Sequence, residues 1–344
     1  MEKIYIVTSG CSFTDSHIRE SSNKKNTILR SFFEHPLKHD VVTNQSYRYQ
    51  NFLTYELYKK NIEFEHYNVA MGSAGNHIIK NLYFEKINEL LNNNINPDQI
   101  YGTIQLSGLY RPTDCADGFK KYNEWIYDYF ESNLFNEKSN YKNLLEKHID
   151  NINDIISFSK EKNIKTKIFW GWANFTKTEL KEYDVYEKFE NIDKDYLINF
   201  DFNENYDTAM TTPTNGFNWL TKQFNKILNK DVWKIEADKY GGMMEIVREF
   251  KNENQYVYMT EWDVHLNSTG NYLFYKNFYR KLFENWNILS NDCLYDNPKY
   301  KTHLEKTFEI CSLHYIDSIN NKPNFENNLY QDKKRSEYFI KFFQ

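Results

Sequence analysis

The feature that most constrains this chain is a short apolar run that stops at a glycine-bearing turn, and it recurs. Residues 3–8 are β-branched and aromatic and end at Ser9-Gly10-Cys11-Ser12. Residues 64–69 end at Gly72-Ser73-Ala74-Gly75, residues 100–106 at Ser107-Gly108, and residues 165–170 at Gly171. Runs of this length and composition predict buried strands. Apolar residues at helical spacing follow at 46–60, 78–91 and 141–162, where crossover helices are expected. Strand, turn and helix in succession imply a parallel sheet with helices on both faces, which binds ligands at the carboxyl ends of its strands. The expected fold is therefore α/β, a three-layer α/β/α sandwich around a mainly parallel sheet of about five strands, flavodoxin-like in outline. Its fifth strand is placed at 256–260, and a closing helix at 272–286.

A chain of 344 residues can hold one large α/β domain, placed here at 1–286, with an insertion or lid at about 179–240 and an extension at 287–344. The insertion is acidic and aromatic, with a helix expected at 217–228. The extension is polar and aromatic, without clear caps, and either packs back on the domain or mediates assembly. Residues 15–45 read as loop. The charges, 43 Lys and Arg against 48 Asp and Glu, are interspersed, so no nucleic-acid face is visible and a small-molecule, carbohydrate or protein partner is favoured. Cys11, Cys115, Cys293 and Cys311 lie far apart with no C-x-x-C spacing, which argues against a zinc site or disulfide framework and fits synthesis in a reducing compartment. No cofactor or metal is expected. The first strand begins at Lys3, leaving no room for a signal peptide, and no apolar run is long enough to span a bilayer. A soluble chain made in the cytoplasm is the expectation. With 28 Tyr and 26 Phe, aromatic rings must fill much of the core.

Hydrolysis by a serine needs a base for its proton, a group that orients the base, and donors for the oxyanion. Ser12 supplies a hydroxyl at the end of the first strand, His265 a base, and Asp263, two residues earlier, a carboxylate able to orient it. The backbone N–H groups of Ser12 and Gly72 are candidate oxyanion donors.

The segments Gly10-Cys11-Ser12-Phe13-Thr14, Asn68-Val69-Ala70-Met71-Gly72 with Gly75-Asn76, and Asp263-Val264-His265 with Gly270 resemble, in order and strand context, the blocks of the SGNH (GDSL-type) hydrolase superfamily. They look most like its divergent viral and bacterial members. The resemblance covers roughly residues 3–285. It implies a five-stranded parallel sheet between helices, Ser12 as nucleophile, Asp263 and His265 ahead of the closing helix, and an esterase or acetylesterase acting on acylated carbohydrate. The chain also departs from the pattern. The second-block donor falls by offset on Ser73, between Gly72 and Gly75, and the Asn that ends the third strand in the family is missing from Ser107-Gly108-Leu109-Tyr110-Arg111. Asn76, Arg111 and Asn174 each follow a strand end and are candidate substitutes.

Blander readings stand beside these. Ser12 can cap a helix, Asp263 and His265 can form a structural pair, and Cys11 suits a small buried packing residue. Arg111 can bind a substrate anion or form an internal ion pair. His17, His77, Trp170, Trp172 and Trp262 lie near strand ends, where pocket, surface and core roles are all open. Two rival functions follow: a catalytically impaired protein of this fold that binds glycan or serves as a structural component, of a virion if the source is viral; and a phosphate or flavin binder using residues 8–14 as a phosphate loop.

Overall fold

The structure is a computed structural model that describes residues 2–16, 18–23, 47–72, 74–108, 138–171, 175, 177–198, 242–251, 255–259 and 265–320. Its first half runs β1 (Ile4–Ser9), β2 (Glu20–Ser22), α1 (Tyr49–Lys59), β3 (Phe64–Asn68), α2 (Asn76–Asn92), β4 (Ile100–Leu106), α3 (Lys138–Glu161) and β5 (Lys165–Trp170). The strands form one α/β sheet in the order β2-β3-β1-β4-β5. β1 pairs in parallel with both β3 and β4, and β4 with β5, whereas β2 runs antiparallel to β3. Four of the expected strands are therefore present. The fifth, expected at 256–260, is not seen among the described residues 256–259, where a single antiparallel bridge joins Tyr258 to Leu266. The sheet's fifth strand is β2, inside the segment read as loop. Three residues of Glu-Ser-Ser composition carry no apolar signal, and short polar edge strands of this kind are how sheets avoid pairing with other chains.

Side chains alternate across the sheet and meet different helices on its two faces. Thr8 and Thr103 are register partners on β1 and β4. Both reach the Tyr279 hydroxyl, at 3.5 and 2.9 Å. Tyr49 of α1 packs edge-on against Tyr279 at 4.6 Å and Phe169 of β5 at 6.0 Å. On the opposite face Ser9 Oγ donates to the Ile79 carbonyl of α2 at 2.8 Å, and the Tyr83 hydroxyl pairs with Thr166 of β5 at 2.8 Å. Gly102 stands in the middle of β4 because a Cβ there would overlap the Tyr83 hydroxyl. Tyr49, Tyr55, Tyr83, Tyr275, Tyr279 and Tyr295 are all fully buried, so tyrosine does fill the core.

The second half adds α4 (Lys177–Glu182), α5 (Tyr186–Glu190), α6 (Met243–Ile246), α7 (Ser268–Phe274), α8 (Arg280–Asn285) and α9 (Pro298–Asn320). α7 and α8 are joined by a π-helical turn, Tyr275–Tyr279, and together make the closing helix. That helix begins earlier than the apolar spacing indicates because Asn267 caps it, accepting the Gly270 N–H at 3.1 Å. Glu56 of α1, fully buried, ties α1 to the closing helix and the chain after it. Its carboxylate takes the Arg280 guanidinium at 3.0 Å, the Leu294 N–H at 3.1 Å and the Tyr275 hydroxyl. A buried carboxylate so fully partnered meets the requirement that desolvated charge be compensated.

Within the segment read as a polar tail, residues 298–320 form a helix that packs against α7. Tyr300, Leu304, Thr307 and Cys311 form its buried stripe, and Phe308 meets Tyr272 at 5.4 Å. Thr and Cys in that stripe weaken its hydropathic signal, although Pro298 at the first helical position is a start signal. The expected helix at 217–228 lies outside the described residues. Among the described residues no helix is long and apolar enough to cross a membrane.

Candidate active site

β1 ends in one helical turn. The Cys11 carbonyl accepts from Thr14 N at 2.9 Å and Asp15 N at 2.8 Å, which lifts Ser12 to the rim of the sheet, partly exposed. Among the described residues nothing accepts the Ser12 backbone N–H. Neighbouring elements hold the turn from several directions. The Thr14 carbonyl accepts from Gln50 Nε2 at 2.6 Å and from Asn68 Nδ2 at 3.0 Å. The chain after β3 runs alongside, with Met71 N donating to the Gly10 carbonyl at 2.9 Å. Asn68, Ala70 and Gly72, singled out as one sequence block, thus lie against the serine turn.

His265 arrives from the other end of the chain. Met259 N donates to its carbonyl at 2.9 Å, and Asn267 N to the Val257 carbonyl at 3.0 Å. Asn267 Nδ2 also spans the Tyr256 and Tyr258 carbonyls, each at 2.8 Å. Gly270 permits this closure, since a Cβ there would stand 2.5 Å from the Val257 carbonyl oxygen. His265 Nε2 lies 2.7 Å from Ser12 Oγ. The Phe13 ring stacks on the imidazole at 4.6 Å with 22° between planes. With Nε2 unprotonated, the serine O–H donates to it, the geometry of a nucleophile with its general base.

A second histidine at the carboxyl ends of the strands has a different setting. His148 of α3 is buried; its Nε2 accepts the Trp170 indole N–H at 2.8 Å, and its Nδ1 lies 2.9 Å from the Asn76 carboxamide. Asn76 Oδ1 takes the Ser107 N–H at 2.7 Å, while its Nδ2 faces the Ser107 carbonyl at 3.2 Å. Burial pushes the His148 imidazole down to about 3. His66, buried between Thr8 and Ser21 side chains, is likewise pushed down to about 3 by desolvation.

Of the site residues expected from sequence, Ser12 and His265 are brought together. The Gly72 N–H is held by the Asp15 carboxylate at 2.9 Å, and Arg19 pairs with that carboxylate at 2.8 Å. Gly75 is the buried N-cap of α2. Asn76 is held against the end of β4, its Oδ1 accepting the Ser107 N–H and its Nδ2 donating to the Ser107 carbonyl. Trp170 is core, and His77 is exposed beside Asn81. Asp263, Ser73, Arg111, Asn174, His17, Trp172 and Trp262 lie outside the described residues. Sequence reasoning missed Phe13, Asp15 and Gln105. For Gln105 there was a signal: an amide inside the apolar run of β4 must find partners. The phosphate-loop reading needs a helix after β1, but the chain makes one turn and continues to β2. Compared with known proteins, the chain matches no family model, no curated protein and no solved structure.

Proposed function

We propose that this chain is a serine esterase or acetylesterase of the SGNH hydrolase type. On this reading its sheet is the centre of a three-layer sandwich, residues 179–240 are an insertion, and residues 287–344 are an extension. The observation that carries the proposal is the 2.7 Å approach of His265 Nε2 to a partly exposed Ser12 at the end of β1. His265 takes the Ser12 proton as Oγ attacks the ester carbonyl. The Ser12 N–H stabilises the oxyanion, the protonated imidazole returns its proton to the departing alcohol, and water then releases the acid by the same steps. Asp263 is assigned the orienting role on its spacing from His265. Acylated carbohydrate is the substrate class that the sequence resemblance favours.

One observation favours a second reading, a catalytically impaired protein that binds glycan or serves as a structural component, of a virion if the source is viral. The Gly72 N–H is engaged by the Asp15 carboxylate, so one candidate oxyanion donor is occupied. Losing one such donor costs about 10²- to 10³-fold in rate. Labelling with a fluorophosphonate probe and turnover of p-nitrophenyl acetate separate the readings. Labelling of the wild type that vanishes in Ser12→Ala, with turnover lost in Ser12→Ala and His265→Ala, supports the esterase. Equal labelling of wild type and Ser12→Ala, or turnover indifferent to both changes, removes it.

A further inference from the structure

Gln105, in the last turn of the β4 ladder, is fully buried, and one atom of it gathers the serine turn. Its Oε1 accepts from the Cys11 N–H at 3.2 Å, the Cys11 thiol at 3.3 Å and the Thr14 hydroxyl at 3.2 Å. Cys11 and Thr14 bracket Ser12, so a single carbonyl oxygen fixes both ends of the turn that carries the nucleophile. Tyr49 extends the chain: its hydroxyl lies 2.9 Å from Thr14 Oγ1, which accepts from Tyr49 while donating to Gln105. The amide's other end is pinned as well, with Nε2 donating to the Leu106 carbonyl at 2.5 Å. Two glycines make the space. A Cβ on Gly10 would meet Gln105 Cβ at 3.0 Å and Thr14 Oγ1 at 2.6 Å, and one on Gly171 would collide with Gln105 Nε2. The glycines that end β1 and β5 therefore both serve this one side chain.

We propose that Gln105 is a positioning residue for catalysis: it sets the Ser12 hydroxyl at hydrogen-bond distance from His265 through the Cys11 and Thr14 contacts. This rests on the esterase reading for its kinetic consequence but not for its geometry. A displacement of about 1 Å in a reacting group costs on the order of 10²-fold in rate. Gln105→Met keeps the volume and removes all three acceptor contacts. Gln105→Glu keeps the acceptor oxygen and, as the neutral acid that burial favours, puts an O–H in place of the Nε2 donor toward the Leu106 carbonyl. Thr14→Val removes one donor from outside the strand and guards against a Gln105 variant that does not fold.

The test pairs crystal structures of these variants with p-nitrophenyl acetate kinetics. In Gln105→Met and Thr14→Val the distance from Ser12 Oγ to His265 Nε2 is expected to open beyond hydrogen-bond reach, and in Gln105→Glu to stay near the wild-type 2.7 Å. kcat should fall about 10- to 100-fold in Gln105→Met with KM unchanged, and recover to within about 3-fold of wild type in Gln105→Glu. A Ser12–His265 distance that is unchanged in Gln105→Met, or in Thr14→Val should the former not fold, overturns the positioning role. So does a kcat loss that Gln105→Glu fails to recover. A wild type without turnover defeats the esterase reading alone, and the distances still decide the positioning role.

Discussion

His265 and His148 both stand at the carboxyl ends of the strands, and both use Nε2 in a short hydrogen bond. Their surroundings differ in every other respect. His148 sits on a long helix, buried, against an indole N–H that can only donate and a carboxamide bound to the end of β4. Protonating its Nε2 would set two N–H groups face to face in a dry site. His265 sits where a two-residue bridge closes a loop, partly exposed, and its partner is a hydroxyl that can lose its proton. Residue type and position along the sheet are thus shared by a structural histidine and a candidate base. What separates them is solvent access and whether the partner can react.

The largest effect that tests this contrast is on rate. Ser12→Ala and His265→Ala should each lower p-nitrophenyl acetate turnover by about 10⁴- to 10⁶-fold, as when members of a nucleophile–base unit are removed singly. In urea unfolding Ser12→Ala should stay within about 0.5 kcal/mol of wild type, and His265→Ala within about 1.5 kcal/mol, the loss of its stack on Phe13. His148→Ala should do the reverse. It leaves the Trp170 indole N–H without its acceptor beside an emptied buried site, at a cost of about 3 kcal/mol in unfolding free energy. The molecules that remain folded should still label at Ser12. A His148→Ala protein as stable as wild type would break the contrast.

The same contrast explains what was legible in the sequence. The four parallel-paired segments were readable because apolar runs ending at glycine turns state both strand and stop. Ser12 and His265 were readable because a serine after the first strand and a histidine before the closing helix stand in the order that the resemblance implies. β2 and α9 were hidden, the first by its polar, three-residue length and the second by Thr307 and Cys311 in its buried stripe. The environment of Asn76 was hidden for a different reason. Which side chains it meets depends on where α3 lies across the sheet, a long-range fact that spacing along the chain does not encode. Gln105 stood in plain view as an amide in an apolar strand, but its partners come from a turn 91 to 94 residues earlier.

Acid sharpens the comparison at intermediate scale. The imidazoles of His66 and His148 are held down to about 3, against an ordinary value of 6.5. Between those limits the unfolded chain binds protons that the folded chain refuses, so stability falls as pH falls below about 6.5. The loss is about 1.4 kcal/mol per histidine for each pH unit until the folded group also titrates. Urea midpoints should therefore drop steeply from pH 7 to pH 5. A midpoint that is flat over this range would mean that these histidines are not held neutral by burial.

The smallest effect concerns the contact between the two halves of the candidate site. Phe13 follows Ser12 in sequence and stacks on His265 in space, so one ring joins the serine turn to the histidine loop. Aromatic pairs of this kind contribute about 0.5–1.5 kcal/mol beyond burial, and a flat face against the imidazole limits its tilt without taking either ring nitrogen. Phe13→Leu keeps an apolar side chain but removes the face. kcat for p-nitrophenyl acetate should fall about 3- to 10-fold with KM little changed, since the substrate's binding surface is kept while the base loses its orientation. His148→Ala, by contrast, should leave kcat per folded molecule alone. If Phe13→Leu retains full kcat, the stack is packing only, and the orientation of His265 rests on its own loop.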